Sequence, residues 1–266
     1  MMNGVLDKNM VFFSGCWGLW VRKSVCLVIV FVLSSCASSN SSSTSILSEV
    51  ETGEEFLAKS QYEMAYATLD EVARNNPASS TAAIALAEAY FRHGAVLKAE
   101  LYYRKAIDLG ETDGGTYGLA RLELARNRPK LALNYLLQKN SKEPRNIDVL
   151  NAIGVAYDLN DQHELAQNYF REVLSISPFD KKANNNLSLS MALNGNAVDA
   201  QARIEELFRS NRNDKVIRQN FALVLFLVGC TDKARRVAEL DLTNKEVQNN
   251  FTELDKRFNR ATKTCQ

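Results

Sequence analysis

Alanine recurs at Ala65, Ala99, Ala132, Ala166, Ala200 and Ala234, at intervals of 34, 33, 34, 34 and 34 residues. A period of this length, held through six cycles, constrains the fold more than any other feature of the chain. It leaves room for two short helices and two turns per cycle. A lone helix pair cannot bury its apolar face, so successive pairs must stack. The periodicity predicts six units, at 46–79, 80–112, 113–146, 147–180, 181–214 and 215–248. Turn residues keep the same phase. Gly94, Asn127, Asp161, Gly195 and Gly229 fall where the two helices of a unit must reverse, and they suit the positive φ such a turn needs. Pro77, Pro144 and Pro178 close three units, and Pro129 falls at a helix's first turn, where its missing N–H costs little.

The clearest unit is NIDVLNAIGVAYDLNDQHELAQNYFREVLSISPFD, residues 146–180. Leu150, Ile153-Gly154, Tyr157, Ala166, Phe170 and Pro178 follow the pattern W-x2-L-G-x2-Y…A-x3-F…P. It resembles a tetratricopeptide (TPR) repeat. That resemblance implies an all-α fold, a right-handed TPR superhelix of about six helix-turn-helix repeats with a C-terminal capping helix. Gly154 and Ala166 are small where the helices of one repeat cross, and Tyr157 and Phe170 are expected to fill space between repeats. Glu123 stands where the third unit should carry an aromatic, so its helix is expected to face solvent or a partner there. Asn244 to Arg260 reads as the cap, with a polar outer face. The repeats are assigned to 46–248 and the C-terminal cap to 249–266.

Upstream, Arg22 and Lys23 precede the apolar run Val25 to Leu33, followed by Ser34, Ser35 and Cys36. A basic region, a short apolar run and small residues mark a secretory signal, and the run falls short of the roughly 20 residues a spanning helix needs. Leu33-Ser34-Ser35-Cys36 resembles a bacterial lipobox. Residues 1–35 are then a lipoprotein signal peptide, and Cys36 is the lipidated first residue of the mature chain; the alternative is an ordinary signal cut near Ala37. The Ser-rich stretch 36–45 is expected to be a flexible tether. Ala37 is not Asp, which by analogy with enterobacterial sorting implies the outer membrane, with the domain in the periplasm. Met1 and Met10 are both available starts.

Of 32 basic and 31 acidic residues, 1–35 contains Lys8, Arg22, Lys23 and Asp7, so the remainder carries 29 and 30. No basic field supports nucleic-acid binding. After removal of the signal, Cys36, Cys230 and Cys265 remain. The cap should run parallel to the last unit's first helix, which brings Cys265 to the side of Cys230. A Cys230–Cys265 disulfide would pin the cap; two free thiols are the alternative. His93 and His163 read as solvated turn residues, in no metal-ligand spacing. No G-x-S-x-G, phosphate loop or H-E-x-x-H occurs, and adjacent acids such as Glu54-Glu55 and Glu205-Glu206 do not share a helix face. No catalytic constellation, metal site, cofactor or small-molecule substrate is expected.

In TPR domains the first helix of each repeat lines a concave groove, at the second, fifth, sixth, ninth and twelfth places of the unit. The resemblance puts Asp148, Asn151 and Val155 there, with Lys182, Asn185, Asn186 and Leu189, and with Gln219, Asn220 and Leu223. Asn151, Asn185, Asn186, Gln219 and Asn220 are the candidate peptide-binding residues, since a carboxamide offers a donor and an acceptor to an extended main chain.

Lipobox, tether, six units, the run N-N-L-x-L-S-x-A-L-x-G (Asn185 to Gly195), R-Q-N-x-A-L-x-L-x3-G (Arg218 to Gly229) and a late Asp241-Leu242…Asn249-Asn250 occur in that order. Together they resemble the TadD family, the TPR lipoproteins of tight-adherence (Tad/Flp) pilus systems. Ser188 departs from that family's glycine. The resemblance implies a non-catalytic role in pilus biogenesis, with the outer-membrane secretin or its assembly factors as partner. A general periplasmic TPR adaptor for cell-wall enzymes or proteases, or a type IV pilus pilotin, is the alternative.

Overall fold

A computed structural model describes residues 40–258, with side chains over 45–258. The lipobox with Cys36, and Cys265, lie outside the described residues. Among them are thirteen helices and no strand. They pair in sequence: α1 (Asn40–Ala58) with α2 (Tyr62–Asn75), α3 (Ser80–Arg92) with α4 (Val96–Asp108), α5 (Thr112–Ala125) followed by α6 (Pro129–Lys142), α7 (Ile147–Leu159) with α8 (His163–Ile176), α9 (Lys181–Leu193) with α10 (Ala197–Ser210), and α11 (Lys215–Leu227) with α12 (Thr231–Ala238). The last helix is α13 (Asn244–Phe258). The fold is the all-α TPR stack that the period requires. Two bounds differ from the periodic expectation. Helix α1 begins at Asn40, inside the Ser-rich stretch, and α12 is only eight residues long, so α13 begins before residue 248.

The turns obey the phase of the sequence. Gly94, Asn127, Asp161, Gly195 and Gly229 all have positive φ, and Ser60 takes the equivalent place in the first unit. Gly110, also at positive φ, occupies in the second unit the position that proline holds in three others. Every first helix from α3 to α11 is capped by a side-chain oxygen: Ser79, Glu111, Asn146, Asp180 and Asp214 each accept from a backbone N–H of the first turn.

The helices form two compact units, one ending at Arg126 and one beginning at Asn127. In the N-terminal unit α1 to α4 share a core built on Val50, Leu57, Leu69, Val72 and Leu86. In the C-terminal unit the largest core joins α9 to α13 through Ile204, Phe221, Phe226 and Phe251. Val247, Phe251 and Leu254, spaced to lie on one stripe of α13, are buried in it. The turn after α12 is tied down by Asp241, whose two carboxylate oxygens accept from Arg218 Nε and Nη2 at 2.8 and 2.6 Å.

Small residues sit where helices approach. A Cβ built on Gly154 would lie 2.5 Å from Phe170 Cε1, and one on Gly118 would lie 2.1 Å from Tyr103 Cε1. Phe170 thus closes on the glycine of its own repeat, and Tyr157 stacks on Tyr169 of its own repeat, with ring centres 5.5 Å apart. The expectation that Tyr157 and Phe170 chiefly fill space between repeats is corrected accordingly. Glu123 is not a solvent-facing acid. It is partly buried, and Arg126 binds both it and Glu100 of α4. Two arginine contacts hold the Glu100 carboxyl below its ordinary range. A charge network stands where the second and fourth units stack tyrosines, Tyr90 on Tyr102 and Tyr157 on Tyr169.

Candidate peptide-binding face

In the C-terminal unit α7, α9 and α11 pack side by side as one layer. Each presents two stripes. Leu150, Ile153 and Gly154 of α7 turn inward, as the closure of Gly154 on Phe170 shows. Asp148, Asn151 and Val155, at intervals of three and four, form the second stripe. It opens to solvent at its start, where the side chains of Asp148 and Lys182 are about half exposed and lie 3.7 Å apart across two repeats.

One turn on, the carboxamides stand in register. Asn151, Asn185 and Gln219 occupy the same place in three repeats, 34 residues apart. Asn151 is 7% exposed and Asn185 5%. The side-chain oxygen of each of the three is buried without a hydrogen-bond partner. Asn186 and Asn220 take the next place along; Asn185 donates to Asn186 Oδ1 at 3.4 Å, and Asn220 is buried. A further turn on, Val155, Leu189 and Leu223 make a neutral, nearly covered floor. The residues named from sequence therefore recur at matching places on three neighbouring helices.

The far end of that stripe holds a latch that sequence reading missed. Ser190 of α9 donates to Asp158 Oδ1 of α7 at 2.7 Å, and His163 Nδ1 lies 2.8 Å from the same oxygen. His163 is a partly buried partner of Asp158, not the solvated turn residue expected from sequence. Burial raises the Asp158 pKa above the ordinary carboxylate range, against the two hydrogen bonds that lower it. His93 is exposed but packs against the rings of Tyr62 and Tyr66.

The N-terminal unit has a different face. Glu88 of α3 and Arg121 of α5 hold the place that Val155, Leu189 and Leu223 hold further on. Arg121 Nη1 donates to Glu88 Oε1 at 2.6 Å, and the buried Tyr103 hydroxyl donates to the same oxygen at 2.6 Å. The guanidinium lies over the Phe91 ring, 4.4 Å from its centre. Burial works against the Arg121 charge, but Glu88 and Tyr103 outweigh it and hold its pKa up. The signal was present in sequence: Glu88 and Arg121 are 33 residues apart, one period of that pair of units. Among the described residues no three His, Cys, Asp or Glu side chains gather as a metal site.

Cys230, at the start of α12, is buried against the α11–α13 core and is disulfide-bonded. Its expected partner, Cys265, is outside the described residues.

Tetratricopeptide repeat models match residues 50–114 and 147–180. Over 91 residues the chain is 33% identical to y4yS, an uncharacterized protein of Sinorhizobium fredii; that stretch is 33% of this chain, and the chain spans about half the length of this curated relative. Among solved structures, a TPR protein from Parabacteroides merdae aligns with a TM-score of 0.60 at 18% identity, over 80% of this chain and 88% of its own. PilW, described as a widely conserved type IV pilus biogenesis factor, aligns at 0.64 and 17%, over 80% and 99%. Pseudomonas aeruginosa PilF aligns at 0.61 and 17%, over 80% and 100%. At these identities the likeness is one of fold.

Proposed function

We propose that this TPR-repeat protein is a non-catalytic lipoprotein of Tad/Flp pilus biogenesis. In this reading Cys36 anchors it to the outer membrane, and the repeats hold a secretin or another pilus-assembly component in the periplasm. The observation that carries the binding half is the row of carboxamides on α7, α9 and α11, with Asn151, Asn185 and Gln219 each keeping an acceptor oxygen unsatisfied by the fold. A buried unsatisfied acceptor costs about 1–3 kcal/mol, and three of them recurring at one place of the repeat mark the α7–α9–α11 layer as the binding face in this reading. The lipobox at Leu33 to Cys36 supports the anchoring half, and the TadD-like runs after Asn184 support the system.

The division of labour is mechanical. A lipid on Cys36 would confine the chain to a membrane surface, where a weakly bound segment is held at high effective concentration. The Cys230 disulfide, assigned here to Cys265, would keep α13 on the last repeat while α11 is engaged. The test is a deletion strain complemented with native chain or Cys36→Ala. Loss of secretin multimers on deletion, restored by the native chain and not by the variant, is the expected result. Normal multimers in the deletion strain would refute the secretin role.

The likeness to PilW and PilF favours a second reading, a type IV pilus assembly lipoprotein. Neighbouring genes separate the two: a prepilin peptidase, secretin and secretion ATPase of the Tad type support the first. A general adaptor for cell-wall enzymes would instead recover hydrolases or proteases on crosslinking.

A further inference from the structure

We propose that Asn194 is a site of spontaneous covalent modification. Its side chain closes onto the backbone nitrogen of Gly195 and reopens as aspartate or isoaspartate, within the α9–α10 turn. This chemistry does not depend on what the repeats bind. Asn194-Gly195 is the single Asn-Gly pair among the described residues. It stands at the tip of a turn, with both residues exposed. The Asn194 carboxamide makes no hydrogen bond among the described residues, so it is free to swing towards the chain.

The reaction needs only water. The Gly195 backbone nitrogen gives up its proton to hydroxide and attacks Asn194 Cγ. A new N–Cγ bond closes a succinimide ring, and the side-chain nitrogen leaves as ammonia after taking a proton from water. Water then opens the ring on one of two sides. Cleavage of the new N–Cγ bond restores the original peptide link and leaves aspartate. Cleavage of the original peptide bond leaves isoaspartate, which routes the main chain through the side chain and lengthens it by a methylene. The net change is an amide and water converted to an acid and ammonia. Either product adds a negative charge to the turn.

The turn also selects this asparagine over its counterpart. Asn194 sits at φ −82°, ψ 8°, so ψ must rotate to bring the nitrogen onto Cγ. Gly195 is at φ +86°, and a Cβ built on it would have nothing within 4 Å. Lacking a side chain, it neither blocks the attack nor restricts the rotation. The backbone resists: Gly195 N–H donates to Ala192 O at 3.2 Å and Asn196 N–H to Met191 O at 2.9 Å. The fourth unit provides an internal control. Asn160 holds the same place there, with equivalent bonds from Asp161 to Asp158 O at 3.1 Å and from Gln162 to Tyr157 O at 2.9 Å. Its side chain is engaged, with Asn160 Nδ2 donating to Gln162 Oε1 at 3.1 Å, and the residue that follows it carries a Cβ. The two turns share their backbone bonds and differ at the reacting atoms.

The test is incubation of the purified full chain in mildly alkaline buffer, folded and in urea, with peptide mapping by mass spectrometry over time. In the folded chain the amide at Asn194 should be replaced by an acid, as aspartate and isoaspartate, and faster as pH rises. The peptide bearing Asn160 should stay unchanged in the same sample. Asn194→Gln, whose longer side chain closes a less favourable ring, should lose the conversion while keeping the native helical circular dichroism. Conversion of Asn194 in urea but not in the folded chain would mean that the turn protects it, and would overturn the proposal. So would equal conversion of Asn160 in the folded chain, or no conversion of Asn194 in either state.

Discussion

Gly154 lies directly under Phe170: a Cβ added to the glycine would meet ring carbons Cε1, Cζ and Cδ1 at 2.5, 2.8 and 2.9 Å. The ring is fully buried, so it has no free volume in which to withdraw. Gly154→Ala therefore sets a helix-propensity gain of up to about 1 kcal/mol against overpacking of about 1–3 kcal/mol. The steric cost should win, with a net loss of about 1–2 kcal/mol in urea denaturation. Phe170→Leu should relieve much of the clash, so the double variant should lose less than the sum of the single changes.

Arg121 and Glu88 form an ion pair whose arginine is buried. Arg121→Met leaves Glu88 and the Tyr103 hydroxyl without their cation. Removing one member of a buried pair costs about 3–5 kcal/mol; because the Glu88 side chain is 27% exposed, the loss should sit near the low end. The double change Glu88→Leu/Arg121→Met should recover most of it. Equilibrium denaturation of the three variants checks this.

Asp158 gives a pH dependence of defined sign. Burial raises its folded-state pKa above that of the unfolded chain. The folded state then holds the proton more tightly, so the group's contribution is fully present below the unfolded value and is lost as pH rises through the folded one. Asp158→Asn removes that loss and keeps an acceptor for Ser190. The variant's stability relative to the native chain should rise as pH increases from about 4, the unfolded value, through the raised folded one, measured by denaturant midpoints. A relative fall over that interval would contradict burial as the governing cause.

A pairing of Cys230 with Cys265 would close a loop of 34 intervening residues. Reduction, or Cys265→Ser, should each lower stability by about 3–4 kcal/mol and should not add. A thermal melt with and without reductant measures it, and a non-reduced peptide map must contain the cross-linked pair.

How far the sequence reached depends on what kind of contact is involved. Helix pairs and turns follow from a periodic alanine and from residues that tolerate positive φ, so Gly94, Asp161 and Gly229 could be placed from spacing alone. The five candidate carboxamides fell on one face for the same reason. Contacts between different columns of the repeat were not legible. Nothing local to His163 announces Ser190, and the stretch from Asn40 into α1 is polar enough to read as tether until Ile46, Val50 and Leu57 are seen to pack beneath Leu69. Glu123 breaks the aromatic pattern, and only the fold reveals Arg126 and Glu100 as what replaces it.

The most direct measurement is crosslinking in intact membranes, comparing native chain with Asn151→Ala/Asn185→Ala/Gln219→Ala and identifying the captured protein by mass spectrometry. A pilus secretin or secretin-assembly factor crosslinked by the native chain, and lost from the triple variant at equal expression, is the predicted result. The same secretin captured equally by both, or cell-wall hydrolases and proteases in its place, would contradict a pilus scaffold that works through this face.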